Sequence, residues 1–112
     1  MILACDIRLA TNTAKLGLTF TKMGILPGLG STYLLPKLVG TAKARELILT
    51  ASIILADEAA EIGLVNRAVA PDQLMPTARE LATAIAQCKP EVLTAARRLL
   101  LSGEAEAVAE AM

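Results

Sequence analysis

The segment that decides the fold is residues 22–40, KMGILPGLGSTYLLPKLVG. Three glycines and a proline crowd into its first half, and an apolar run with helical character follows. Glycine and proline at this density are typical of a loop. We therefore predict a loop that leads into a helix over residues 31–38, with Pro36 in its last turns and Gly40 closing it.

Glycines directly before a helix permit positive φ and let a ligand or another backbone approach closely. A phosphate-binding loop would need Lys followed by Ser or Thr, whereas Gly30 is followed directly by Ser31 and Thr32. The glycine spacing also differs from the dinucleotide-binding fingerprint. Two interpretations stay open: the loop amides border an anionic or polarised group, or the loop is a tight strand-to-helix connection with nothing bound.

The composition indicates one domain with an aliphatic core. Of 112 residues, 54% are apolar but only 2% are aromatic, so aliphatic side chains and Met must fill the core. Eleven basic and eleven acidic residues cancel, and no basic stripe points to nucleic acid. The longest run of apolar or hydroxyl residues, 47–56, is half of the roughly 20 residues that a membrane span needs. We predict a cytoplasmic protein without a membrane span.

Two cysteines and the absence of histidine limit metal and redox chemistry. Cys5 and Cys88 lie far apart in the chain, and we interpret them as reduced core thiols rather than a disulfide. Without histidine, a zinc site is not expected.

The rest of the chain alternates short strands with helices. Turn signals and the alternation of apolar residues predict strands in the later half of residues 2–11, at 16–20 and at 64–70, and further helices at 42–49, 56–62, 73–88 and 91–101.

The ends of these helices carry signals of their own. Thr41 is predicted to cap the helix at 42–49, Gly63 to follow the helix at 56–62, and Pro90 to open the last one. One stripe of that last helix is expected to face inward: Val92, Ala95, Ala96, Leu99 and Leu100.

The order of five motifs resembles the enoyl-CoA hydratase/isomerase (crotonase) superfamily. They are LACDIRLAT at 3–11, AKLGL at 14–18, GILPGLGSTYLLPKLVG at 24–40, AKARELILT at 42–50 and ADEAAEIGLVNRAV at 56–69. The resemblance covers nearly the whole chain, but family members are longer. We therefore expect this chain to correspond to the C-terminal half only.

The resemblance implies an α/β fold: part of a crotonase-like β-β-α spiral, followed by a mainly helical C-terminal region. Residues 1–40 would form the later part of the spiral core. Residues 41–112 would form a helical region with one short strand that serves oligomerisation. The implied partners are an acyl-CoA substrate and copies of the chain, in a trimer-based homo-oligomer. No cofactor is implied beyond the coenzyme A thioester that serves as substrate.

The resemblance also implies what chemistry the chain carries. Family members polarise the thioester carbonyl with two backbone N–H groups, which we expect upstream of Met1. One hydratase glutamate would fall just before Met1 and the second at Phe20, while an isomerase glutamate would fall at Gly28. Neither phenylalanine nor glycine can act as an acid or base. We therefore assign no catalytic residue and no metal ligand.

The segment that the family uses as an acyl pocket gives the candidate substrate-binding residues. An ordinary core role is the competing interpretation for its apolar members. The candidates are Phe20, Met23, Leu26, Pro27, Gly28 and Leu29. Relatives also commonly carry glycine at the position of Ala51 and a capping Asp or Ser at that of Leu55.

Two hypotheses follow. The first is a portion of an acyl-CoA- or enoyl-CoA-processing enzyme that lacks the usual two-glutamate hydratase site. By family the chain is an enzyme, although the 112 residues alone would not hold a complete active site. The alternative is a non-catalytic, truncated interaction module that assembles through its apolar helices.

Overall fold

The computed structural model describes residues 2–28 and 30–111, which fall into two compact units, Met1–Pro76 and Thr77–Met112. The first unit contains four strands and three α-helices, and it carries the sheets and the core. Its elements are β1 (Leu9–Thr11), β2 (Lys15–Gly17), α1 (Ser31–Val39), α2 (Thr41–Thr50), β3 (Ile53–Leu55), α3 (Ala56–Glu61) and β4 (Arg67–Val69).

The strands form two small sheets. Strands β1 and β4 pair in parallel with Ala10 opposite Ala68, and α1, α2 and α3 lie in the connection between them. Strands β2 and β3 pair antiparallel with Leu16 opposite Ile54. Parallel strands require a crossover connection, usually helical, and the chain supplies one. The predicted α/β class is confirmed.

The expectation of one strand after residue 40 is wrong, because β3 precedes β4 there. The residues of β3 belong to the apolar run at 47–56, and periodicity cannot distinguish a short apolar strand from a helix. Its pairing with β2, a partner far away in sequence, makes it a strand.

The core is aliphatic, as the composition predicts. Leu35 and Val65 are its largest fully buried side chains, and Ala44, Ala56 and Ala59 are almost completely buried around them. Small alanine side chains let the backbones of the short elements approach closely. The helices and sheets of the first unit therefore share one continuous cluster.

The helix ends explain most of the boundaries. Helix α1 includes Pro36 and ends at Gly40, as predicted. The predicted cap at Thr41 is wrong: Gly40 is the N-cap of α2, and no side-chain hydrogen bond caps that helix. Only Gly40 connects α1 to α2, so Thr41 already belongs to the second helix.

Two further helix ends fall at Ala51 and Leu55, the positions where relatives commonly carry glycine and a capping residue. Ala51, at the C-terminal end of α2, adopts the left-handed conformation with φ 52°. Leu55 is the N-cap of α3 and provides no side-chain hydrogen bond. A polar N-cap is strongly preferred, so α3 begins without a stabilising interaction that most helices have.

Arg8 joins β1 to the segment between α3 and β4. Its side chain is buried, and Nε donates to the carbonyl oxygen of Leu64 at 2.7 Å while Nη1 donates to that of Cys5 at 2.7 Å. Asn66 completes the connection, since its Oδ1 accepts from the Arg8 backbone N–H at 2.8 Å and its own N–H donates to the Arg8 carbonyl at 2.7 Å. These bonds hold the two parallel strands at their shared starting edge.

The second unit contains the larger part of α4 (Leu74–Ala86) and the whole of α5 (Pro90–Ala111). The stripe of α5 that was expected to face inward is exposed: Val92 is 61% exposed, and Leu99 and Leu100 are each 75% exposed. That expectation is wrong within this chain, because an amphipathic pattern identifies an apolar face without providing the surface that covers it. None of the described helices is long and apolar enough to cross a membrane.

Both cysteines are free thiols, as predicted. Their predicted place in the core is wrong, because Cys5 and Cys88 are both exposed. Cys5 lies in the bends that precede β1 and Cys88 in the turn after α4, so neither belongs to an element whose face packs on the core.

Candidate functional site

A cavity of about 170 Å³ lies in the first unit, between the glycine-rich segment and the core. Strands β2 and β3 and helices α1 and α2 contribute six of the 13 lining residues, and the wall is predominantly aliphatic. Its main apolar lining residues are Leu3, Leu16, Leu18, Leu35, Leu47 and Ile54. Sites for small molecules are mostly apolar clefts with a few placed polar groups, and this cavity has that character.

The glycine-rich segment reaches the cavity at two points. Phe20 and Gly28 both line it, from opposite ends of the loop that precedes α1. Thr21 anchors the first end, because its Oγ1 donates to the carbonyl oxygen of Ile48 in α2 at 2.8 Å. The loop therefore borders the cavity at both of its ends.

The second end of the loop is a tight turn into α1. Gly30 is the N-cap with φ 75° and ψ 10°, a left-handed conformation that favours glycine. The carbonyl of Gly28 accepts from the N–H of Ser31 at 3.1 Å, and that of Gly30 accepts from the N–H of Leu34 at 2.9 Å. This geometry places Ser31, the first residue of α1, at the cavity wall.

Ser31 and Ser52 are the polar residues on the described part of the wall. Ser52 is paired, because its hydroxyl and that of Thr50 are hydrogen-bonded to each other. Ser31 is only 2% exposed, and its Oγ has no hydrogen-bond partner among the residues that the structure describes. The hydroxyl of Ser52 is therefore hydrogen-bonded, whereas that of Ser31 is buried without a partner among the described residues.

The predicted substrate-binding residues separate into groups. The cavity brings together Phe20 and Gly28, whereas Met23 and Leu26 are 69% and 86% exposed and lie outside its wall. Pro27 is half-buried and is also not part of this wall. Leu29 lies outside the described residues.

Sequence reasoning missed Ser31, the aliphatic wall and the contribution of Ser52. The available signal was a serine directly after the last glycine of the loop, at a helix N-terminus. That signal normally indicates a cap, and only the three-dimensional arrangement reveals that the residue lies at the wall of a cavity.

The described wall carries no acid, base or metal-binding group. Phe20 and Gly28, the two positions where the family resemblance places carboxylates, both face the cavity without one. Across residues 2–28 and 30–111, no group of three or more metal-binding side chains comes together. The arrangement is suited to an apolar group, and the described lining residues include no acid or base that could transfer a proton to it.

The family model for enoyl-CoA hydratase/isomerase matches residues 1–110. The chain therefore belongs to the enoyl-CoA hydratase/isomerase family, and its α/β architecture is part of the crotonase-like fold. The sequence-based assignment to this family is confirmed.

Curated relatives include two clostridial enzymes. The chain is 52% identical over 87 residues to a short-chain-enoyl-CoA hydratase of Clostridioides difficile, which covers 78% of the chain and 56% of the relative. It is 43% identical over 101 residues to a short-chain-enoyl-CoA hydratase of Clostridium acetobutylicum, covering 90% of the chain and 39% of the relative. The chain thus spans between 39% and 56% of the length of these relatives.

Solved structures agree on the fold. An enoyl-CoA hydratase from Bacillus anthracis has a TM-score of 0.77 at 48% identity, covering 79% of this chain and 34% of that one. A Thermobifida fusca protein in complex with acetoacetyl-CoA has a TM-score of 0.87 at 36% identity, covering 91% of this chain and 40% of that one.

Proposed function

We propose that this chain is the C-terminal portion of an enzyme that processes acyl-CoA or enoyl-CoA thioesters. The observation that carries the proposal is the apolar cavity bordered by Phe20 and Gly28, in a chain of the enoyl-CoA hydratase/isomerase family. The names of the clostridial relatives and the acetoacetyl-CoA complex of the Thermobifida fusca protein support a thioester as the ligand.

The acyl group would occupy the cavity, with Phe20 and Gly28 in contact with it. Met23, Leu26, Pro27 and Leu29 remain proposed contacts for the rest of the substrate. An exposed loop can approach the coenzyme A part of a thioester even where it does not line the acyl cavity. No cofactor is proposed besides this substrate.

We propose further that the usual two-glutamate hydratase site is incomplete in this chain. General acid–base catalysis needs a titratable group within hydrogen-bond reach of the reacting atoms. The positions of Phe20 and Gly28 supply none, so any such group must come from outside the described wall.

We also propose different roles for two regions of the chain. Residues 1–40 form part of the spiral core, and residues 41–112 form the region through which copies of the chain assemble. Exposed apolar side chains on α5, such as Val92, Leu99 and Leu100, support a homo-oligomer, trimer-based by family. The cytoplasmic location stays a prediction.

Calorimetric titration of the 112-residue chain with crotonyl-CoA, butyryl-CoA and free coenzyme A tests the proposal. We expect both thioesters to bind more tightly than free coenzyme A. Phe20→Ala should weaken thioester binding several-fold, because it removes a ring from the wall. Leu49→Ala is the control from helix α2 and should leave binding unchanged, since its side chain is 74% exposed and belongs neither to the cavity wall nor to the proposed contacts. Equal binding of thioesters and free coenzyme A would contradict an acyl-binding cavity.

The same samples test the catalytic part. Loss of the enoyl absorbance of crotonyl-CoA reports hydration directly. We expect thioester binding without hydration by this chain. Turnover by the 112-residue chain would refute the proposal that its acid–base site is incomplete.

A further inference from the structure

The hydroxyl of Thr21 connects two parts of the cavity wall that are far apart in the chain. Its Oγ1 donates to the carbonyl oxygen of Ile48 at 2.8 Å, in a partly buried hydrogen bond that joins the glycine-rich segment to α2. The residue before each partner lines the cavity, Phe20 on one side and Leu47 on the other. The bond therefore lies one residue away from the wall on both sides.

The turn that carries Thr21 is otherwise held by hydrogen bonds within itself. The Phe20 carbonyl accepts from the N–H of Met23 at 3.1 Å and from that of Ile25 at 2.9 Å. Across the described residues, the bond from Thr21 Oγ1 is the hydrogen bond that joins residues 19–25 to another element. The side chains of Met23 and Ile25 are exposed and add little packing. The turn is thus a compact body whose polar attachment to α2 is one hydroxyl.

The acceptor of this bond belongs to the end of a helix. Ile48 lies in the last turn of α2, where carbonyl groups lack a partner within the helix. Its oxygen also accepts from the N–H of Ala51, at 3.3 Å. Strand β3 follows directly, and its Ile54 lines the cavity as Phe20 does. One hydroxyl therefore completes the end of α2 and attaches the turn next to the same cavity.

We propose that Thr21 is a positioning residue, whose hydroxyl keeps Phe20 in the cavity wall by attaching the turn at residues 19–25 to the end of α2. Without the bond, the turn moves away from α2 and takes Phe20 with it. Thr21 is not among the lining residues, so it acts on a ligand only through Phe20. Where the ligand is a thioester, a statement that rests on the proposed function, Thr21 strengthens binding of the acyl part and not of free coenzyme A.

Fluorine NMR tests the placement of Phe20 without any ligand. Phe20 is the only phenylalanine of the 112-residue chain, so biosynthetic fluorophenylalanine reports on this position alone. The signal is compared in the wild-type chain, Thr21→Val and Thr21→Ser, because valine keeps the shape of threonine and serine keeps its hydroxyl. Thr94→Val is the matched control, since Thr94 Oγ1 also donates to a backbone carbonyl, that of Pro90 at 2.9 Å, in the second unit.

We expect Thr21→Val to raise the population with the ring in water by about twofold to tenfold, the contribution of one neutral hydrogen bond. Saturation transfer measures this population, and the change of the fluorine shift between light and heavy water reports contact of the ring with solvent. Thr21→Ser and Thr94→Val should keep the wild-type signal. An unchanged signal in Thr21→Val, or the same change in Thr94→Val, would overturn the proposal.

Calorimetric titration with butyryl-CoA and free coenzyme A extends the test to binding. Thr21→Val should weaken butyryl-CoA binding by up to about tenfold and leave coenzyme A binding unchanged. In the Phe20→Ala background the same substitution should have no effect, because Thr21 acts through the ring that is then missing. No loss in the wild-type background, or equal losses in both, would overturn the role in binding. If butyryl-CoA fails to bind the wild-type chain while the fluorine signal responds as expected, the proposed function fails and the placement of Phe20 by Thr21 stands.

Discussion

Replacing Arg8 by methionine tests the connection that holds β1 to β4. Methionine keeps an unbranched apolar side chain in the same space but removes every donor. The bond from Nε to the Leu64 carbonyl is buried, at 2.7 Å, whereas the bond to the Cys5 carbonyl is partly buried and ends at an exposed residue. A hydrogen bond from a charged group contributes about 1.5–3 kcal/mol, and a buried acceptor left alone costs about 1–3 kcal/mol. Since water can replace the bond to Cys5, we expect Arg8→Met to lower the free energy of unfolding by about 2–4 kcal/mol.

Urea unfolding followed by far-ultraviolet circular dichroism measures this loss. Arg67→Met is the matched control, because Arg67 belongs to β4 and is exposed. Exposed substitutions usually change stability by less than about 0.5 kcal/mol. If the two variants unfold at the same urea concentration with equal slopes, the buried bonds of Arg8 do not stabilise the fold and the reasoning is refuted.

Three further substitutions test the packing around the cavity and the helix ends. Gly63→Ala should cost about 2–4 kcal/mol, because φ is +88° and a Cβ would lie 2.8 Å from the carbonyl oxygen of Leu38. Leu35→Ala should cost about 2–5 kcal/mol, because it empties a fully buried core position. Leu55→Ser should exceed Leu55→Ala in stability by about 1 kcal/mol, since only serine can cap α3. Thermal unfolding ranks all four variants.

The Gly63→Ala prediction has a control in Gly24, which lies in the loop that precedes α1. Gly24 also has positive φ, +75°, but a Cβ there would meet nothing within 4 Å. Gly24→Ala therefore reports the backbone conformation alone, and Gly63→Ala must cost clearly more. Equal losses would mean that the contact with Leu38 relaxes at no cost. Equal stability of serine and alanine at position 55 would likewise show that α3 gains nothing from a cap.

Local signals predicted the parts of the fold that local chemistry determines. Gly40 ends α1 as predicted, the glycine-rich segment forms a loop, and β4 lies within the predicted strand at 64–70. The unusual residues Ala51 and Leu55 also occupy helix ends, where glycine and a polar cap are preferred. Each of these features depends on φ, ψ or a hydrogen bond within a few residues.

The features that could not be predicted from the sequence depend on contacts between residues far apart in the chain. Strand β3 forms by pairing with β2, with Ile54 opposite Leu16. The hydrogen bonds of Arg8 form because β4 pairs with β1 and brings the segment before β4 next to Arg8. The unpartnered hydroxyl of Ser31 is also a tertiary feature, because a serine after glycine at a helix N-terminus is expected to cap that helix. Sequence pattern finds the amphipathic face of α5 but does not show what covers it.

The described wall of the cavity is suited to apolar contact and not to proton transfer. Phe20 and Gly28 border the same apolar cavity, so the positions to which the family resemblance assigns carboxylates lie on its wall. What has changed is their chemistry: a ring and a hydrogen atom extend the apolar surface where an acid would act. Binding by the described wall would therefore depend mainly on the shape of its apolar surface. Proton transfer to a ligand held there requires a group from outside the described wall, so the two functions can be tested independently, one by binding and the other by turnover.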